Sequence, residues 1–518
     1  MTTNTPPAPP SDTPPALAGR REWIGLALIA LPCAVYAMDL TVLNLALPAI
    51  SADLHPTPSQ LLWMIDIYGF LVAGFLITMG TLGDRIGRRR LLLIGAAAFA
   101  AASTLAAYAH SAEALIALRA LLGVAGATLA PSTLSLIRNM FHDERQRQFA
   151  IGIWITAFSV GSAIGPLAGG VLLQWFHWGS VFLAAVPVML LLLLLGPAFL
   201  PEYRDPQAGR IDLPSVALSL GAVLPLIWGL KQFAEHGAVP SAFAAVLVGL
   251  GVGLLFVRRQ GRLAYPLLDL GLFRRAAFSA ALTTYALSCL AMFGVYIFMT
   301  QYLQGVLGLS PLAAGLATVP WALSFVVGSL AAPRLARRWP AHQLLASALL
   351  MSAIGFALLL LTNHERATLP VMIFATIVMS LGMAPVFTIG TEIVVTSAPP
   401  ERTGAASAMA ETASEFSGAC GIAIFGSLGT LLYRERLLAA LPQEVPLSSA
   451  TAAGASLGGA LNTAAGLPEA AGSALRHAAG LAFTDALHAV AAAGGVLLLI
   501  AAVLVRRMLT PRGDGQSA

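Results

Sequence analysis

Charge is scarce in this chain. Asp, Glu, Lys and Arg make up 10% of its 518 residues, against about 25% in an ordinary soluble domain. A soluble chain of this length could not cover its surface with so few charges. That excludes a cytosolic enzyme, a secreted domain and a disordered chain. Cysteine is scarcer still: Cys33, Cys289 and Cys420 each sit in an apolar run, with neither a disulfide framework nor metal-ligand spacing. Lysine is nearly missing, Lys231 being the single one. The basic residues form short separated clusters rather than one face, which argues against nucleic-acid binding. No Gly-rich ATP-binding loop ending in Lys occurs, so energy for work must come from an ion gradient or a partner. No cofactor or metal is expected, and no loop carries the catalytic constellation an enzyme would need.

What the chain does have is apolar length. Hydrophobic residues make up 58% of it, and a membrane-spanning helix needs about 20 mostly apolar residues in a row. Fourteen such runs are present, at 24–48, 61–82, 91–109, 113–137, 148–173, 178–199, 212–231, 241–257, 277–304, 311–333, 342–362, 369–391, 404–432 and 480–505. The fold class expected is an all-α polytopic membrane protein. Its beginning, 1–20, is rich in Pro, Ser and Thr and reads as a disordered tail. A six-helix bundle is expected over 21–200, a linking two-helix hairpin over 201–262, and the ninth to thirteenth helices over 263–433. An extracellular loop follows over 434–479, then a last helix over 480–506 and a tail over 507–518.

Basic residues set the orientation. With the N-terminus in the cytoplasm, 23 of the 29 Lys and Arg fall in inner segments and five in outer ones, Arg119 lying within a helix. Both termini are therefore expected in the cytoplasm. A weak internal repeat supports two related halves. Gly80–Arg90 closes the second run and Gly328–Arg338 the tenth, with Gly, Leu and the paired Arg in register and the Asp missing from the second copy. Repeated halves with a site between them are a common design of secondary transporters.

An ionisable group inside a membrane helix costs roughly 2.5–3.5 kcal/mol on insertion scales, so it usually has a task. Asp39, Asp66, Glu411 and Glu415 qualify. Glu411 and Glu415 are four apart and share one helix face. Two such carboxylates repel when both are ionised, and a group that exchanges a proton for a cation is what an antiporter requires. Structural readings stand beside these: Asp39 bonded to Thr41 or Asn44, Asp66 at a wet interface, the glutamates lining water. Arg119 must meet a carboxylate, a carbonyl or cavity water. Tyr36, Trp63, Tyr68 and Trp321 could stack on a cationic guest, although Trp63 alone also suits an interface anchor. Gly161, Gly165 and Gly169 share a face where a helix could approach closely, with Pro166 favouring a kink and Gly170 beside it.

These residues resemble a known family. Met38 to Pro48, Gly80 to Arg90, Leu118 to Gly126 and Gly161 to Gly170 are similar to motifs of the major facilitator superfamily, in its fourteen-helix drug:proton antiporter branch. Met409 to Phe416 and Tyr433-Arg434 extend the resemblance into the second half. Trp63 to Tyr68 and the acidic thirteenth run most resemble pumps for quaternary ammonium antiseptics and cationic dyes. The resemblance implies two six-helix bundles plus a two-helix insertion, and proton-coupled efflux of lipophilic organic cations by a functional monomer. It implies Asp39, Asp66, Glu411 and Glu415 as cation or proton sites. It also implies a state-stabilising role for the loop motif Gly80, Asp84, Arg85, Gly87 and Arg88, in which Arg85 and Arg88 bridge to neighbouring helices. Gly161, Gly165, Pro166, Gly169 and Gly170 match an exporter motif. Some relatives carry an acid in the tenth helix, where Pro320 to Phe325 here has none, which counts against efficient handling of divalent organic cations. Dedicated export of one antibiotic or metabolite on the same fold is the alternative.

Overall fold

In hydrocarbon every backbone amide must find its partner inside the protein, and a helix supplies those partners within one segment. The computed structural model describes residues 17–509 apart from 57, 205–211, 237–238, 264–265, 310, 400–402, 442–444, 446–449, 451 and 455, and its described elements are helices. The tail expected at 1–20 falls outside the described residues up to 16, and the expected C-terminal tail does so from 510. The helices are α1 (Arg20–Leu54), α2 (Pro58–Ile86), α3 (Arg88–Ala107), α4 (Ala112–Gly126), α5 (Leu129–Met140), α6 (Glu144–Trp175), α7 (Ser180–Leu183), α8 (Val186–Phe199), α9 (Leu213–His236) and α10 (Pro240–Gln260). They continue with α11 (Ala276–Gln301), α12 (Pro311–Ala336), α13 (Ala341–Leu358), α14 (Leu369–Ser397), α15 (Thr403–Ala439), α16 (Leu457–Ala465) and α17 (Glu469–Leu509).

Thirteen spans among the described residues are long and apolar enough to cross a membrane. The 32-residue α6, which covers the fifth apolar run, packs along α1. Two spans are stepped: α4 and α5 form one span, as do α7 and α8. The α1–α6 packing depends on a glycine. A Cβ on Gly161 would sit 2.0 Å from the Ala34 carbonyl oxygen, so only a bare backbone fits.

Helices α1 to α8 form one half and α11 to α17 the other. They meet through α2 and α5 against α15, and through α6 against α12 and α14. Between them in sequence, α9 and α10 pack on each other, and α9 also lies against both α2 and α15. Arg259 closes this hairpin by gripping Asp212, Nε to Oδ2 at 2.7 Å and Nη2 to Oδ1 at 2.8 Å. The guanidinium holds the Asp212 carboxyl well below the usual carboxylate range.

The expected loop over 434–479 is largely helical among its described residues. Helix α15 continues to Ala439, α16 fills Leu457–Ala465, and α17 begins at Glu469. The segment is rich in Ala, the best helix former. Tyr433 pins it by donating its hydroxyl to the carbonyl of Ala453 at 3.1 Å. Low hydropathy marked where membrane ends, not where helix ends.

Many arginines gather at one end of the molecule, where Arg21 donates to Ala198 O at 2.9 Å and Arg89 to Leu200 O at 3.0 Å. The two halves are fastened together there. Arg138 of α5 donates to the carbonyls of Val395 (2.6 Å) and Ala398 (2.8 Å) and to the Thr403 hydroxyl (2.8 Å). Arg147 of α6 meets Glu392 of α14 at 3.4 Å. At the opposite end Trp178 donates to Asp53 at 2.7 Å, which draws that carboxyl below its ordinary range.

Candidate transport site

Near the middle of the first half, three helices build a closed charge pair. Arg119 of α4 donates from Nη1 to Asp39 Oδ2 of α1 at 2.6 Å and from Nε to the Met64 carbonyl of α2 at 3.2 Å. Its guanidinium carbon lies 4.5 Å from the centre of the Tyr68 ring. Both charged side chains are buried. This changes the reading of Asp39. An organic cation would have to displace a guanidinium already in contact, so Asp39 serves the electroneutrality of the core before it serves a guest. Breaking such a pair strands a buried charge.

Tyr68 leads onward to the junction of the halves. Its ring lies 6.0 Å from that of Tyr36, which in turn meets Phe158 edge-on at 5.5 Å. From the other half, α15 presents Glu411 and Glu415, both half-buried. Both lie within electrostatic reach of Tyr36 in the first half and of Tyr285 and Cys289 of α11 in their own. Cys289 Sγ is 3.3 Å from Ser414 Oγ, between the two glutamates in sequence.

Beside them lies an aromatic cavity of about 320 Å³ between the halves, lined by Ser159 and Ser162 of α6, Phe293 and Tyr296 of α11, and Trp321 and Phe325 of α12. Tyr296 and Trp321 have ring centres 5.2 Å apart. Phe387 of α14 also lines it and packs edge-on against Tyr285 at 4.9 Å, linking the cavity to the rings near the glutamates. Such a chamber offers apolar faces for a lipophilic guest and two carboxylates nearby for charge.

The structure brings Tyr36, Tyr68, Asp39, Arg119, Glu411 and Glu415 into one region and puts Trp321 in the cavity wall. Trp63 is elsewhere: it is 40% exposed, edge-on to Phe70 at 6.2 Å, and outside the cavity lining. Asp66 sits on α2, but its side chain lies outside the described residues. Gly165 and Gly169 are buried on α6, while Pro166 and Gly170 have their surroundings outside that set. In the loop motif, Arg88 at the start of α3 bridges back to the end of α2, pairing with Asp84 and donating to Gly80 O at 2.8 Å. Arg89 reaches a third helix, donating to Pro197 O and Leu200 O at the α8 end.

Residues 29–422 match the description of the Major Facilitator Superfamily. The chain belongs to that superfamily. It is thus a multi-pass membrane transporter, as its fold and motifs led one to expect. It is 45% identical over 485 residues to "Multidrug efflux pump LfrA" of Mycolicibacterium smegmatis, covering 94% of this chain and 96% of that one. It is 34% identical to "Methyl viologen resistance protein SmvA" of Salmonella typhimurium, covering 93% and 97%. It is 32% identical to the "Tetracenomycin C resistance and export protein" of Streptomyces glaucescens, covering 97% and 94%. Among solved structures, the human organic anion transporter MFSD10 superposes with a TM-score of 0.59 at 18% identity, covering 95% and 100%, a likeness of fold.

The sequence reading missed the groups that join the halves. Glu392 lies one residue beyond the twelfth apolar run, 369–391, and hydropathy alone does not mark it as an intramembrane carboxylate. The helix in fact continues to Ser397. Arg138 counted only toward orientation. Tyr285, Tyr296, Phe325 and Phe387 gave no sequence signal, since an aromatic in an apolar run looks the same whether it faces lipid or a cavity.

Proposed function

We propose that this transporter exports lipophilic organic cations, of the quaternary ammonium and cationic dye kind, from the bacterial cytoplasm across the inner membrane in exchange for protons, with the arginine-rich end facing the cytoplasm. The observation that carries this reading is the Glu411/Glu415 pair at the junction of the halves, facing Tyr36 of one half and Tyr285 of the other. With both glutamates ionised the pair repels itself, and a proton or an organic cation relieves that repulsion. The two ligands therefore compete: cation binding releases a proton, and protons arriving from the outside displace the cation. The aromatic walls supply apolar contact and cation–π attraction without demanding one shape. The name of the Mycolicibacterium relative supports drug efflux, and that of the Salmonella relative supports an organic cation among the compounds handled, although methyl viologen is a dication.

On this orientation the Arg138 and Arg147 contacts fasten the halves together at the cytoplasmic side, which supports reading the arrangement as cytoplasm-closed. Asp39 and Arg119 hold the first half neutral beside the site. Dedicated export of one antibiotic is the second reading, favoured by the full-length similarity to the Streptomyces glaucescens exporter.

The test is ethidium transport by the purified chain in proteoliposomes with an imposed proton gradient, together with direct binding across a pH series. Binding is expected to release protons and to weaken as pH falls, because protonated carboxylates no longer attract the cation. Glu411→Gln and Glu415→Gln are each expected to reduce proton release while leaving insertion intact. Cation binding that ignores pH and survives both substitutions would discard the shared-carboxylate mechanism, and competition by one compound alone would favour the dedicated exporter.

A further inference from the structure

At the arginine-rich end, α6 of one half begins beside the end of α12 of the other. A Cβ on Gly152 of α6 would lie 2.9 Å from the Ser329 carbonyl oxygen of α12. Beside this contact is a cavity of about 630 Å³ whose polar lining is Glu144, Arg145, Gln148, Arg334, Arg337 and Arg338. Four guanidinium groups thus face one carboxylate, and Glu144 is engaged by the Gln148 amide at 3.2 Å. Among the described residues Arg334 donates to Leu330 O of its own helix, at 3.3 Å, and to no carboxylate. Arg145, Arg337 and Arg338 have no ion pair among the described residues.

Closing this end brings Arg145 of one half against three arginines of the other. Like charges gathered this way oppose the closure unless an anion lies between them. Glu392 lies close by, within reach of Glu144 and Gln148, but its carboxylate is met by Arg147 at 3.4 Å and it does not line the cavity. The surroundings say where such an anion would come from. Leu316, Leu323 and Val327 of α12 are 58%, 61% and 60% exposed. At 100° per residue they fall on the same side of the helix as Arg334, as a stripe leading along the membrane to the cavity. Trp339, 48% exposed, stands at the interface level where aromatic anchors sit. A phosphate in the cavity with acyl chains along that stripe matches both features, whereas free phosphate uses only the first.

We propose that this cavity binds the phosphate headgroup of an acidic phospholipid, bridging Arg145 to Arg334, Arg337 and Arg338 and so favouring the state in which the arginine-rich end is closed. Membranes present such headgroups to basic pockets between helices. The proposal does not depend on what the central cavity exports.

Native mass spectrometry of the full chain, titrated with phosphatidylglycerol or phosphatidylcholine, tests the binding. Retention of phosphatidylglycerol over phosphatidylcholine is expected. Arg145→Gln and the double variant Arg337→Gln/Arg338→Gln should weaken it by about fivefold per arginine removed. Arg258→Gln, at the same end but outside the cavity, should leave it unchanged. The double lysine variant Arg337→Lys/Arg338→Lys keeps the charge and should keep the lipid, so a folding defect cannot pass for lost binding. Spin labels at cysteines replacing His142 and His342 report closure in nanodiscs, where phosphatidylglycerol should shorten the distance and excess inorganic phosphate should not. Equal retention of the two lipids, indifference to the arginines, or bound lipid without closure would overturn the proposal. Closure driven as well by inorganic phosphate would overturn the lipid as its source.

Discussion

The two copies of the glycine–arginine motif occupy equivalent places in the two halves, yet they have opposite chemistry. In the first, Asp84 and Arg88 form a buried pair, and Gly87 adopts φ 111° so that the chain can turn from α2 into α3. The Glu202 carboxylate rests against that glycine and accepts the Arg89 amide at 3.1 Å. In the second, the same register places Ala332, Ala336 and Leu335 at those positions, and α12 runs on through Ala336. The first copy carries its own counterion and works as a clasp. The second keeps only the arginines and leaves them open to something from outside. A repeat inherited by both halves can thus diverge into a structural element on one side and a receptor on the other by the loss of an acid and its buried partner.

The comparison breaks most sharply at Arg88. Truncating it to Ala strands Asp84 in a buried site and is expected to cost about 3–5 kcal/mol, read as a large drop in thermal unfolding temperature in detergent. A variant as stable as the parent would show that the first copy is no clasp. Gly87→Ala comes next. A side chain at that φ, pressed on Glu202, is expected to cost about 1–3 kcal/mol, whereas Leu335→Gly near the end of α12 should cost no more than ~1 kcal/mol. Equal losses in the same unfolding assay would erase the distinction between the copies. The smallest effect belongs to Arg337→Gln/Arg338→Gln, expected to leave intrinsic stability within about 0.5 kcal/mol while altering the response to acidic lipid. A marked loss of stability there, in the absence of lipid, would make the second copy structural too.

Much of the fold was legible because hydrocarbon leaves a chain few options: the fourteen apolar runs fall on helices, and thirteen spans among the described residues are long and apolar enough to cross a membrane. The helix ends were not legible in the same way. Helix α17 has 41 residues and α15 has 37, well beyond the ~20 that cross a bilayer, and no hydropathy threshold marks where a helix stops once it has left the lipid. The site was legible where charge is costly. Asp39 and Arg119 stood out separately in the sequence, and the structure sets them 2.6 Å apart. What the sequence could not convey is that this pairing occupies Asp39, since distance across helices has no local signal. The Arg138 contacts with the end of α14 escaped for the same reason, joining residues more than 250 positions apart.

The α9–α10 hairpin has a consequence for traffic within the bilayer. Leu220 and Leu224 of α9 press on Gly74 of α2, and Ile227 packs with Phe70 and Ala73 of α2 in a cluster that takes in Ala419 of α15. One of the two seams between the halves is therefore shuttered by an extra helix, while among the described residues no extra helix packs over the seam at α6 and α12. A greasy molecule dissolved in the membrane meets two unequal flanks, and its sideways approach is expected from the uncovered one. The added pair of helices makes the transporter one-handed toward the lipid around it.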